Sequence, residues 1–203
     1  MGTLWSLLAA WHRGLLVAGG VLVVATALVW QAQSGAGGPD PAKWVLHQTG
    51  FWTLLLLVLT LCVSPLRRLV ESASLLRWRR PLGLAAFALG LLHLLVYVFL
   101  YQALDAAAIA EDIGKRPYIV IGVLAWLILL ALALTSTQSA RRRMGLRWVR
   151  LHRLVYVALV LGLLHHGMAQ KVDLGEVLAF GVVASLLFVE RLRAKRKKQA
   201  PAP

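Results

Sequence analysis

Acidic residues are scarce in this chain. Eight Asp and Glu stand against 22 Lys and Arg in 203 residues, and charged residues of both signs make up only 15%. A soluble domain carries about 25% charged residues, so an ordinary globular enzyme is excluded. Cysteine is scarcer still: Cys62 is the only one, which excludes an internal disulfide framework and a cysteine-based zinc or iron–sulfur site. With few carboxylates in the apolar runs, a zinc or di-iron site also lacks ligands. Ser64, Ser136, Thr60 and Thr135 have no carboxylate–histidine pair nearby in sequence, so helix capping and backbone hydrogen bonding fit them better than hydrolysis. The glycine- and proline-containing segment 31–43, QAQSGAGGPDPAK, reads as a loop. It lacks the third glycine and the preceding strand of a dinucleotide-binding turn. No internal repeat is expected, and no loop is long enough to form a second domain.

What the chain does have is apolar surface. Hydrophobic residues make up 60% of it and the mean hydropathy is +0.74, far too apolar for disorder. Stretches free of Asp, Glu, Lys and Arg run over 14–39, 44–66, 81–104, 117–140 and 154–170, and 174–189 contains only Glu176. A helix needs about 20 apolar residues to cross the hydrocarbon of a bilayer. The pattern therefore predicts an all-α membrane protein, a six-helix transmembrane bundle with spans near 14–31, 45–64, 82–101, 118–136, 150–168 and 174–190. The whole of 1–203 reads as one domain, with a core over 45–190 and a basic tail over 191–203. No A-x-A-like cleavage site follows the first apolar stretch, which argues against a cleaved signal peptide.

The cations give the bundle a direction. Eighteen fall at the N-terminus (Arg13), in the segments 67–80 and 141–153, and in the tail; four, Lys43, Lys115, Arg116 and Lys171, fall on the other side. The positive-inside rule then places both termini in the cytoplasm. Trp5, Trp11, Trp78 and Trp148 mark the inner edge, Trp30 and Trp44 the outer edge, and Trp126 sits mid-span. Basic residues divided among short loops do not form a nucleic-acid surface, so no nucleic-acid partner is expected. The tail RLRAKRKK anchors topology and can touch anionic membrane lipid.

Six histidines remain: His12, His47, His93, His152, His165 and His166. An ionisable residue inside a bilayer is expensive and marks a candidate site. At about 1.5 Å per residue, measured from Arg80 and Arg150, His93 lies roughly 20 Å deep, His165 roughly 22 Å and His152 roughly 3 Å. His93 and His165 thus share a depth on two helices running the same way. Two imidazoles so placed can ligate one haem iron from opposite faces. His152 marks a second level nearer the cytoplasm, either a further haem ligand or a hydrogen-bond partner for a quinone. Helical spacing sets His152 and His165 about 140° apart, and His152 and His166 about 40° apart. If both levels share one groove, His166 is the outer ligand; if they do not, His165 is. His12 is a candidate fourth ligand, and His47 reads as an exposed interfacial anchor.

Residues 135–166, TSTQSARRRMGLRWVRLHRLVYVALVLGLLHH, resemble the signature of the MsrQ (YedZ) family. These are the haem-binding membrane subunits of the MsrPQ methionine sulfoxide reductase system, within the ferric-reductase-like transmembrane superfamily. TGFWTLLLLVLTLCVSPLRR at 49–68, RRPLGLAAFALGLLHLLVY at 79–97 and GKRPYIVIG at 114–122 are similar to it as well. The resemblance covers roughly residues 45–166. It implies haem b, one or two, with iron bound by His93, His152 and His165, and it favours His165 over His166. It implies FMN as a further cofactor, and the quinone pool or a cytosolic flavin reductase as electron donor. It also implies a periplasmic, molybdopterin-containing MsrP-like partner that repairs oxidised envelope proteins. The chain would then be an electron-transfer subunit rather than the catalytic one. The competing readings are a stand-alone transmembrane ferric reductase or quinol-linked cytochrome b, and a non-redox membrane scaffold. The basic loops 67–80 and 141–150 serve topology or attract an acidic partner or flavin phosphate. Lys115, Arg116 and Tyr118 anchor the outer interface, dock the partner or neutralise a haem propionate.

Overall fold

A backbone in hydrocarbon must satisfy its own polar groups, and apolar runs of this length do so as helices. The computed structural model of the chain describes residues 2–170 and 175–199, and every regular element among them is helical. Lys171, the side chains of Trp5, Trp11, Lys195, Lys197 and Lys198, and positions 200–203 lie outside what is described. Helix α1 spans Gly2–Gln33 and α2 Pro41–Leu69; after a short 3-10 turn at Ala73–Trp78 comes α3, Arg79–Leu95. Then follow α4 (Ala106–Lys115), α5 (Pro117–Leu134), α6 (Gln138–Met144), α7 (Leu146–His152), α8 (Val155–Ala169) and α9 (Gly175–Gln199).

Local chemistry sets the ends. Asp40 caps α2 by accepting the Lys43 N–H at 2.9 Å, with Pro41 in the first turn, where a missing N–H costs nothing. Asp105 caps α4 through the N–H groups of Ala107 and Ala108. Pro117 opens α5. Gly145, at φ +52°, breaks α6 from α7, a conformation that favours glycine. Beyond α3 the chain widens into a π-helical turn over Val96–Tyr101, with the Gln102 N–H bonded back to the Tyr97 carbonyl at 2.9 Å.

The successive helices alternate between two ends of a bundle. One end gathers the arginine-rich segments 67–80 and 141–153 and is called here the basic end; the opposite end carries the 34–40 loop and α4. Helix α2 is central, packing on α1, α3, α8 and α9, while α5 pairs with α8. The core is built from Leu54, Leu57, Leu61, Ala86, Ala158 and Leu159, closed on one side by Phe180 and Ala184 of α9. Outward faces stay apolar: Leu22, Val23 and Leu186 are each about two-thirds exposed. That is the surface a bilayer would cover.

Five helical runs among the described residues are long and apolar enough to cross a membrane: His12–Gln33, Pro41–Leu69, Ala73–Tyr101, Pro117–Leu134 and Leu146–Ala169. The expected sixth, 174–190, is not among them: within the described α9, Glu176, Glu190 and Arg191 leave no stretch of that length with so few charges. The expected span over 150–168 lies within the run Leu146–Ala169, which carries a turn at 153–154 where Arg153 and Leu154 keep right-handed helical angles. The basic residues 191–199 are helical, the last part of α9. The segment between α3 and α5, expected as a plain loop, contains the amphipathic helix α4.

Leu159 is fully buried and Leu22 is 64% exposed. Leu159→Ala is therefore expected to cost about 2–5 kcal/mol, read as a lowered Tm of the detergent-purified protein, with Leu22→Ala leaving Tm unchanged.

Candidate functional site

Between α2 and α3 on one side and α5 and α8 on the other lies a cavity of about 530 Å³. Its end opposite the basic one, called here the mouth, is lined by Lys43, Tyr97 and Arg116, and its other end, the floor, by Leu57, Leu129 and Ala158. From Lys43 to Leu57 along α2 is roughly 21 Å at the helical rise. The mouth is polar and the floor is apolar.

His93 and His165 face each other across this space. Their ring centres are 6.0 Å apart and their planes are perpendicular, at 89°. Each ring is held from behind. His93 Nδ1 lies 2.9 Å from the Leu46 carbonyl of α2, and His165 Nδ1 lies 2.7 Å from the Tyr118 carbonyl of α5. Such a bond puts the proton on Nδ1 and leaves Nε2 as the ligating nitrogen. The Thr49 hydroxyl, 3.3 Å from His93 Nδ1, and the Tyr118 ring, 5.8 Å from that of His165, complete the supports.

Glycine makes both approaches possible. A methyl group at Gly122 would stand 2.7 Å from His165 Nδ1, and one at Gly50 would stand 3.1 Å from His93 Cε1. Each glycine sits four residues after the carbonyl its histidine uses, one helical turn on. The two arrangements are one arrangement repeated. Adding 72 to 46, 50, 90 and 93 gives 118, 122, 162 and 165: carbonyl, glycine, glycine and histidine coincide. Leu-Gly-Leu-Leu-His stands at 89–93 and again at 161–165. The expectation of no internal repeat is overturned. The pair α2–α3 and the pair α5–α8 form two halves running in the same sense, as expected of parallel repeats about an axis along the bundle.

The arrangement fits an iron macrocycle. Two imidazoles each about 2 Å from one metal ion, the usual histidine–metal distance, would have ring centres roughly 6 Å apart. No group of three or more His, Cys, Asp and Glu able to hold a metal occurs among the described residues. The remaining ligands of an iron held here must then come from the cofactor, as a porphyrin's four nitrogens do. One buried nitrogen on the cavity wall, Trp126 Nε1, has no hydrogen-bond partner among the described residues. Buried polar groups in a native interior call for a partner, and a group held in the cavity can supply one.

The other histidines separate. His166 turns toward α9, with Nε2 3.5 Å from Glu176 Oε2, short of hydrogen-bond geometry, and its ring edge-on to Phe180. His152 is outside the cavity, stacked on Trp148 at 3.9 Å with Nε2 3.1 Å from the Thr135 hydroxyl. His12 is exposed and does not line the cavity. His47 departs from expectation: it is half-buried and lines the cavity rather than standing out as an anchor. Trp126 faces protein, stacking on Phe87.

Sequence reasoning missed a polar cluster at the mouth. Asp112, with its side chain only 12% exposed, accepts from Tyr97 Oη at 3.1 Å and Gln102 Nε2 at 2.8 Å, and pairs with Arg116 Nε at 3.1 Å. Lys115 pairs with Glu111. Two acid-to-base pairs at i,i+4, Glu111–Lys115 and Asp112–Arg116, are a helix signal that was open to reading.

The family model of the ferric reductase like transmembrane component matches residues 49–163. Curated relatives agree. A protein-methionine-sulfoxide reductase heme-binding subunit MsrQ of Azospira oryzae is 47% identical over 162 residues, covering 77% of this chain and 70% of that one. That of Xanthomonas axonopodis pv. citri is 45% identical over 160 residues, covering 78% and 73%. One from Xanthomonas oryzae pv. oryzae is 43% identical over 174 residues, covering 84% and 80%.

Gly122→Ala, which drives a methyl into the His165 ring, is expected to lower sharply the haem retained on purification. Gly181→Ala, with open space around its new methyl, is expected to leave it unchanged; the haem-to-protein absorbance ratio measures both.

Proposed function

The chain belongs to the MsrQ haem-binding subunits of the ferric-reductase-like transmembrane family, and from that membership we propose that it is the electron-transfer subunit of a methionine sulfoxide reductase system. His93 and His165 hold a haem b iron between them. The observation that carries this reading is the pair of facing imidazoles, 6.0 Å apart, with both Nδ1 atoms tied to backbone carbonyls. When bound, the haem supplies a one-electron iron couple whose potential follows from its ligands and its burial. The protein positions the iron, excludes water with the apolar floor, and fixes ligand basicity through the two carbonyls.

His152 is the proposed iron ligand of a second haem nearer the basic end, exchanging its Thr135 contact for the metal. His166 is not a ligand in this reading. Electrons arrive from the quinone pool or a cytosolic flavin reductase, FMN being a further candidate cofactor near the basic loops. They leave to a periplasmic, molybdopterin-containing MsrP-like subunit, which carries out sulfoxide reduction. The basic end faces the cytoplasm of an inner-membrane protein. Helix α9 is the sixth span: its apolar stretch packs Phe180 and Ala184 into the core, while Glu190 pairs with Arg68 and Arg191 covers the Tyr156 ring at 4.8 Å.

Purified, haem-replete protein is expected to show a Soret band that His93→Ala and His165→Ala each remove or diminish by the same haem, and that His166→Ala retains. No band in the unsubstituted protein, or loss in His166→Ala with retention in His165→Ala, overturns the ligand assignment. The haem-to-protein ratio of His152→Ala tests the second site. Electron delivery to a purified MsrP-like protein, compared with ferric chelates, separates this function from a stand-alone ferric reductase. For topology, Ser34→Cys, Arg142→Cys and Arg196→Cys in a Cys62→Ser background are labelled with a membrane-impermeant thiol reagent. Six spans put Arg142→Cys and Arg196→Cys on one side and Ser34→Cys on the other; five put Arg196→Cys with Ser34→Cys.

A further inference from the structure

The two halves of the site each bring a cation to the mouth of the cavity. Lys43 stands in the first turn of α2, and Arg116 immediately precedes α5; both line the mouth. They occupy comparable places in the repeat, since the residue 72 positions after Lys43 is Lys115, the neighbour of Arg116. Little else at the mouth is positive, and the floor is apolar.

Arg116 is held in place. Asp112 takes its Nε at 3.1 Å, and the Asp112 carboxylate is itself engaged by Tyr97 and Gln102. These contacts tie α4 to the π-helical turn that continues the His93 helix. A hydrogen bond to Tyr101, outweighing the effect of burial, raises the Arg116 pKa above its ordinary value. A guanidinium has five N–H donors, so binding Asp112 leaves others for a second acceptor. Its side chain is 43% exposed. Lys43 has its ammonium to offer, because its contact with Asp40 is made by the backbone N–H.

We infer that Arg116 and Lys43 form a carboxylate-binding subsite that takes the two propionates of the haem, with Asp112 as the positioning residue that aims Arg116. The inference rests on the ligation proposed above and adds an orientation to it. A porphyrin with two carboxylates on one edge fits a cavity that is cationic at one end and apolar at the other, because burying an unpaired carboxylate among Leu57, Leu129 and Ala158 is heavily penalised. Charge-assisted hydrogen bonds at the mouth stabilise the opposite placement. The carboxylate-bearing edge then points away from the basic end.

The test reconstitutes full-length protein, expressed without haem, with either haem b or its dimethyl ester, which keeps the iron and the ring but removes both negative charges. Release to excess apomyoglobin is followed in the unsubstituted chain and in Arg116→Gln, Lys43→Gln and Arg116→Lys. With haem b, each glutamine variant is expected to release the pigment about tenfold faster, the size of one lost charge-assisted hydrogen bond, and Arg116→Lys to recover part of the loss. With the dimethyl ester, all four proteins should release alike. Equal acceleration with both pigments would mean that Arg116 and Lys43 merely support the fold, and would overturn the inference. So would haem b release unchanged in both glutamine variants. Lys43→Gln removes no partner of Asp112, so it decides the matter even if Arg116→Gln misfolds. A Soret band absent from the unsubstituted chain with either pigment would instead overturn the ligation reading, and this one with it.

Discussion

A helical carbonyl has a second lone pair after its own hydrogen bond, and the site depends on who takes it. Side chains normally bar another helix from reaching that lone pair. Where glycine occupies the position one turn on, the way is open. At Leu46–Gly50 and again at Tyr118–Gly122 an imidazole from the neighbouring helix enters and binds the carbonyl through Nδ1. This contact pulls α3 onto α2 and α8 onto α5, the two most extensive pairings in the bundle. It also turns both Nε2 atoms into the space between the pairs. Packing and ligand geometry are therefore one constraint: a larger residue at either glycine would separate the helices and misdirect the ring together.

The two ends of the bundle divide the remaining work. At the basic end, Trp148 donates its indole N–H to the Thr135 carbonyl at 2.8 Å and stacks on His152, closing the bundle where the arginines gather. At the other end, α4 and the π-helical turn surround the cavity mouth with hydrogen-bonding groups. A π-helical turn is costly and is often found at functional sites. Here it carries Tyr97 and Tyr101, the two aromatic residues that reach Asp112 and Arg116. Helix α1 stands apart, with Leu28 its one buried hydrophobic side chain among those described, and contributes nothing to the cavity wall.

Much of this was legible in the sequence, and the failures have physical causes. Charge-free runs located the spans because the cost of burying charge in hydrocarbon is large and local. Equal depth paired His93 with His165 because helical rise is nearly constant. Depth says nothing about rotation, so the spacing from His152 left His165 and His166 both open. Residues 153–154 form a turn within the run on which that angle was counted, and the step of about 100° per residue turns His166 to α9 once His165 faces His93. The sixth stretch is the shortest in charge-free residues, because Glu176 lies near its start and Glu190 at its end. Leu-Gly-Leu-Leu-His is a faint repeat because five residues drawn mostly from leucine carry little weight in a leucine-rich chain. It gains meaning once both copies make the same bond to the same kind of carbonyl.

That repetition makes the chain a two-subunit assembly written into one polypeptide. Each half supplies a wall, a glycine and one imidazole, and neither half alone encloses a metal. In a true homodimer every residue off the axis would appear twice, and no gradient could exist around the centre. Fusion removes that restriction. Position 47 is histidine where its counterpart, 119, is isoleucine, and position 152 is histidine where its counterpart, 80, is arginine. The shared geometry holds the centre fixed, while the unshared positions can give the two flanks different polarity.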